Sequence, residues 1–170
     1  MSKLDAKKER DEYYVWTDKS GRFILNESYV FGDFEYVFQI PIDNNGDEDF
    51  IQGFMMQSKY KGQVISVATS FELEINADFY HNMGTLLMQA AVKMQEKNNS
   101  DEDILHEYFH IYNGGITFAI KNNCSGLLVM VQLYCVSSQI MFLLMDAEAI
   151  SDLGNKMVTV AAQIKNAQES

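Results

Sequence analysis

Two stretches of the chain, NADFYHNMGTLLMQAAVKM (76–94) and DAEAISDLGNKMVTVAAQI (146–164), agree position for position in features that have separate physical causes. Asn76 and Asp146 stand where a side-chain oxygen can accept the backbone N–H groups that open a helix. Asp78 and Glu148 follow in the first turn, at the positive end of the helix dipole. Apolar residues then recur at helical spacing: Met83, Leu87, Ala90 and Met94 in one stretch, Leu153, Met157, Val160 and Ile164 in the other. Gly84 and Gly154 share one position, Ala91 and Ala161 another. Glycine inside a helix costs about 1 kcal/mol relative to alanine. Its repetition points to a close approach of the two helices to each other or to a sheet. Amphipathicity alone accounts for the apolar spacing. Agreement in cap, acid, glycine and alanine at one register asks for more, and we read the chain as an internal duplication.

The openings of the two halves pair in the same spirit. EYYVWTDKSGRFIL (12–25) lies against EYFHIYNGGITFAI (107–120): Glu-Tyr-aromatic, an apolar strand pattern, a Gly-containing turn, then Phe in a second apolar run. Both turns suit hairpins, because Gly and Asn tolerate positive φ. Further strands are expected at 35–42, 50–56 and 63–74 in the first half, and at 126–136 and 138–145 in the second, where Val, Ile, Phe and Tyr dominate. The fold class is therefore α+β: internally duplicated units of antiparallel strands followed by a helix, the sheet covered by two helices with pseudo-twofold symmetry. The expected divisions are a flexible N-terminus at 1–10, a first unit at 11–97, a linker at 98–103 and a second unit at 104–170 sharing one core with the first. The first unit is longer by about 25 residues, read as an acidic insertion around 31–60.

Charge narrows the classes of function. The 170 residues carry 24 acidic and 13 basic groups, a formal charge of −11, which argues against direct nucleic-acid binding because phosphates need a basic face. It suits a partner with a basic surface. With 47% hydrophobic and 12% aromatic residues the chain can bury a real core. No apolar run reaches the roughly 18–20 residues of a membrane span. MSKLDAKKERDE has no hydrophobic signal region, so the cytoplasm, of the source cell or of a host cell, is the expected compartment. Cys124 and Cys135 read as reduced thiols there. A homo-oligomer is compatible with this composition.

HEYFH at 106–110 matches the zinc-peptidase pattern H-E-x-x-H, whose chemistry needs both histidines on one helix face and a third ligand from elsewhere. EAISD (148–152) resembles the E-x-x-x-D helix of the thermolysin-like metallopeptidases. That resemblance implies zinc on His106, His110 and Glu148, with Glu107 as base and Asp152 supporting a histidine. The duplication implies something else. It sets HEYFH against DEYYV (11–15), the opening strand of a hairpin, and EAISD against DFYHN (78–82), whose acid belongs to a helix start. In a strand the histidines lie about 13 Å apart, too far for one ion. The strand is the preferred reading, with Phe109 and Ile111 turned to the core as Tyr14 and Trp16 are in the first unit.

Between Arg22 and Lys59 there is no basic residue but seven acids: Glu27, Asp33, Glu35, Asp43, Asp47, Glu48 and Asp49. The expectation is a non-catalytic acidic protein-binding module, an inhibitor or adaptor that engages a basic, nucleic-acid-binding protein surface in the manner of a nucleic-acid mimic. Its expected contact residues are Asp33, Glu35, Asp43, Asp47, Glu48 and Asp49, and it needs no cofactor or metal. The enzyme alternative is the zinc peptidase. A chaperone, or a small-ligand-binding domain with a pocket between the halves, is the further alternative.

Overall fold

The computed structural model describes residues 23–41, 53–71, 73, 75–96, 102–111, 113–122, 126–134 and 138–169. Four strands and a helix, then four strands and a helix, follow in order. The first unit holds β1 (Phe23–Phe31), β2 (Phe34–Pro41), β3 (Met55–Tyr60), β4 (Gln63–Thr69) and α1 (Ala77–Gln95). The second holds β5 (Leu105–Ile111), β6 (Gly114–Ile120), β7 (Leu127–Leu133), β8 (Gln139–Leu143) and α2 (Ala147–Glu169). Each unit is an antiparallel meander, β1-β2-β3-β4 and β5-β6-β7-β8. This is the α+β duplication expected from the sequence, and one buried apolar cluster runs through both units.

Both helix starts form as their residues dictate. Phe79 N–H donates to Asn76 Oδ1 at 3.1 Å, and Ala149 N–H donates to Asp146 Oδ1 at 2.8 Å. The helices run antiparallel, with Lys165 near the end of α2 bonded at 3.0 Å to Asp78 in the first turn of α1. They cross at the repeated glycines. A Cβ on Gly154 would lie 2.6 Å from the Gly84 carbonyl oxygen, and one on Gly84 would run into the Gly154 carbonyl and into Val158 Cγ2 at 2.8 Å. The reciprocity places the pseudo-twofold axis at this pair. Beyond the crossing each helix reaches the other unit, α1 touching β5 and α2 touching β1, while the sheets adjoin along β4 and β8. There Thr69 N–H donates to Gln139 Oε1 at 2.7 Å.

The core follows from strand alternation. Tyr36, Phe38 and Ile40 of β2 and Ile116, Phe118 and Ile120 of β6 point to the helices and are buried. Phe54, Phe79, Phe109 and Phe118 meet as an aromatic group, with Phe79 edge-on to Phe109 at 5.1 Å and Phe54 stacked on Phe38 at 5.1 Å. Such pairs add about 0.5–1.5 kcal/mol each beyond the area they bury.

The opening strands correct one correspondence. Among the described residues the strand that stands to its sheet as β5 does is β1, not EYYVW at 12–16, which lies outside them with the 1–10 terminus. Laid together without a gap, the two hairpins match at Leu25 and Leu105, Glu27 and Glu107, Tyr29 and Phe109, Phe38 and Phe118, Ile40 and Ile120. Shared Glu-Tyr and glycine letters favoured the earlier stretch, but strand order depends on hydrogen-bonded neighbours. The expected insertion around 31–60 narrows as well. β2 and β3 fill most of it as sheet strands, and what remains is a link, 42–54, of 13 residues against the 6 of 121–126 in the second unit. β3 also starts later than expected: the apolar letters of FIQGFMM end in it, but its remainder, Gln57-Ser58-Lys59-Tyr60, has no apolar alternation. The β3–β4 turn, Lys61-Gly62, has φ of 50° and 83°, the left-handed pair a two-residue hairpin loop requires.

Candidate functional site

Residues 106–110 are a strand. In β5, His106, Tyr108 and His110 take the exposed face, and Leu105, Phe109 and Ile111 pack against the core. Four residues of strand separate the two histidines by about 13 Å, so they cannot share an ion as a helical H-E-x-x-H does. His110 Nδ1 instead meets the Tyr134 hydroxyl at 2.8 Å. A hydrogen bond with Tyr108 pushes the Tyr134 phenol above its usual range. Glu148 sits in the first turn of α2, where its charge favours the helix. Asp152 accepts from the Tyr29 hydroxyl at 2.8 Å and pairs with Lys156 at 2.9 Å. The two acids thus serve the helix start and the contact with β1. Among the described residues no group of three or more His, Cys, Asp and Glu side chains is arranged to hold a metal.

The Tyr29–Asp152 contact belongs to a polar clamp, because Lys156 also reaches Glu27 of β1 at 2.7 Å. Burial pushes the Tyr29 phenol up, reinforced by its bond to Asp152. At the equivalent place in the other unit Phe109 packs edge-on against Phe79. The duplicated junctions have diverged, one polar and one aromatic.

Of the expected contact residues, Asp33 and Glu35 lie at the β1–β2 hairpin, and Asp43, Asp47, Glu48 and Asp49 lie outside the described residues. The hairpin is not purely acidic. Lys59 stands 3.7 Å from Glu35 across the β2–β3 pairing, and Lys61 N–H donates to the Asp33 carbonyl at 3.0 Å while its ammonium lies over the Tyr60 ring at 5.4 Å. Of the acids in a stretch free of basic residues along the chain, Glu35 is thus answered by Lys59 of the neighbouring strand.

A groove of about 550 Å³ opens between the helices, lined by Met88, Ala91 and Val92 of α1 and Glu148, Ser151 and Asp152 of α2. It lies off the pseudo-twofold axis. The equivalent place on the other side of the axis carries the Lys165–Asp78 ion pair, whereas here Gln95 occupies the position of Lys165.

The outer faces of the two sheets differ most. In the second sheet the register sets Tyr108, Thr117, Met130 and Ile140 in one row, and His106, Ala119, Leu128 and Phe142 in the next. Tyr108 is 49% exposed, Ile140 60%, Phe142 42% and the adjacent Tyr134 61%. The matching rows of the first sheet are Ser28, Val37, Gln57, Val67 and Asn26, Gln39, Met55, Thr69. These rows are more polar but less open: Val37, Gln39, Met55 and Gln57 are buried, and Gln39 Nε2 donates to Asn26 Oδ1 at 3.1 Å. The sequence reading missed this face, since an alternation with large apolar residues on both sides of a strand reads as doubly buried. No helix of the described residues is long and apolar enough to cross a membrane. Neither a protein-family model nor a curated protein matches the chain.

Proposed function

We propose that the protein is a non-catalytic module that binds another protein through electrostatic attraction to a basic surface. The observation that supports this is how the positive charge is spent. Of 13 basic residues against 24 acids, Lys59, Lys156 and Lys165 are already engaged by Glu35, Glu27 with Asp152, and Asp78. The carboxylate surplus of −11 must therefore be answered by salt ions or by a basic partner. The acidic link 42–54, which the second unit lacks at that length, carries Asp43, Asp47, Glu48 and Asp49 as its contact residues. An inhibitor or adaptor that occupies a nucleic-acid-binding surface fits this chemistry.

The test is capture on the immobilised chain from an extract of its own cell at low salt, elution in salt steps, and repetition with the purified partner. A basic partner is expected, with affinity falling about tenfold or more as the screening length drops from about 10 Å at 0.1 M salt to about 3 Å at 1 M. Affinity unchanged across that range would end the electrostatic reading.

A further inference from the structure

We infer that the outer face of the second sheet is the docking face for the apolar part of a basic protein partner. This rests on the reading of the protein as a binder of basic surfaces, and adds where and through what chemistry the partner seats.

The duplication supplies an internal control. Equivalent rows on the first sheet are not open: Val37, Gln39, Met55 and Gln57 are all buried there, whereas Tyr108, Ile140 and Phe142 of the second sheet are exposed. An antiparallel sheet packed on one side ordinarily keeps its other side polar. The second sheet carries Met130 beside Ile140 and Leu128 beside Phe142 there, with Tyr108 beyond Thr117 in the first of these rows. Cross-strand neighbours in one row stand about 4.5–5.5 Å apart, so Met130, Ile140, Leu128 and Phe142 form one continuous apolar surface, with Thr117 between it and Tyr108. Contiguous exposed apolar surface of this kind marks an interaction site, whereas scattered single residues do not. The rings are also held in place. A Cβ on Gly115 would strike the Tyr108 ring, and one on Gly126 would strike Phe142, so each aromatic lies over a glycine and is prearranged as a platform. Ordered aromatic anchors of this type carry most of the energy in protein interfaces.

Charge selects the occupant. Among the described residues at this end of the sheet, Asp103 leads into β5 and Asp146 follows β8 as exposed acids, with Lys121 as the basic residue beside them. A second copy would bring another net charge of −11 to the complex and is disfavoured by self-repulsion. A segment with large apolar side chains flanked by lysine or arginine satisfies both the face and its surroundings.

The probe is a fluorescent peptide of alternating leucine and lysine, with serine–lysine and leucine–glutamate peptides of equal length as comparisons. Anisotropy titration should show saturable binding of the leucine–lysine peptide alone. The affinity should fall about tenfold in the Tyr108→Ser/Phe142→Ser variant. It should be unchanged in Val67→Ser, the matched position of the first sheet, and kept in Tyr108→Phe. Equal melting temperatures check that the variants are folded. Unchanged affinity in the double variant, or equal binding of the serine–lysine peptide, would overturn the docking face while leaving the acidic reading intact. Equal binding of the leucine–glutamate peptide would overturn the basic partner, and this inference with it. Self-association in sedimentation that the double variant abolishes would make the occupant a second copy, and would equally overturn it.

Discussion

Gly84 and Gly154 face one another across the helix crossing, each occupying the space that a side chain on the other would need. The obstacle to a Cβ on Gly154 is the Gly84 carbonyl oxygen at 2.6 Å, which is backbone and cannot swing aside. Gly84→Ala and Gly154→Ala should therefore destabilise the protein, although alanine gains about 1 kcal/mol of helix propensity. Overpacking of about 1–3 kcal/mol sets the sign. Urea unfolding should also show the double variant costing less than the sum, because both substitutions push apart one contact.

Asn76→Ala and Asp146→Ala should each cost about 1 kcal/mol in chemical denaturation, with serine at either position recovering most of the loss. Each removes the side-chain oxygen that accepts from the first turn, from Phe79 N–H in one helix and from Ala149 N–H in the other.

The clamp between β1 and α2 should make stability depend on pH. Burial acts to raise the Asp152 carboxyl, but hydrogen bonds from Lys156 and Tyr29 and the Lys156 charge outweigh it and hold it below the usual range. A lowered native value means that the unfolded chain takes up the proton first as pH falls. The contribution is thus complete above the ordinary aspartate value of about 3.9 and is lost as pH falls through the native one. Lys156, raised chiefly by its bond to Glu27, loses its contribution at the alkaline end as pH rises through its native value. The stability difference between the natural protein and Lys156→Met should be greatest near neutrality and shrink below about pH 4. Its size should be about 1 kcal/mol or less, since these side chains are a third or more exposed. A difference that stays constant down to the lowest pH would contradict the clamp.

Zinc provides a direct check of the strand at 105–111. Titrating the untagged protein should raise its melting temperature no more than it raises that of the His106→Ala/His110→Ala variant. Histidines about 13 Å apart give a single ion nothing to bridge.

What the sequence determined by itself is what local chemistry controls. The caps at Asn76 and Asp146, the apolar helix faces and the repeated glycine were legible because each depends on spacing within a few residues. HEYFH is the strand expected, with Phe109 and Ile111 inward, although the pairing with DEYYV that pointed to it gives way to one with β1. Tertiary structure decided what depends on neighbours across the sheet and across the axis. Strand pairing set β1 against β5 and overrode the likeness of EYYVW to EYFHI. It also brought Lys59 to Glu35, softening an acidic stretch that carries no basic residue along the chain. Cross-strand register gathered Tyr108, Ile140 and Phe142 onto one open face, although Tyr108 and Phe142 are 34 residues apart in sequence. The physical reason is common to all three: a residue's periodicity says which side of its element it takes, and only the hydrogen-bonded partner says what stands beside it there.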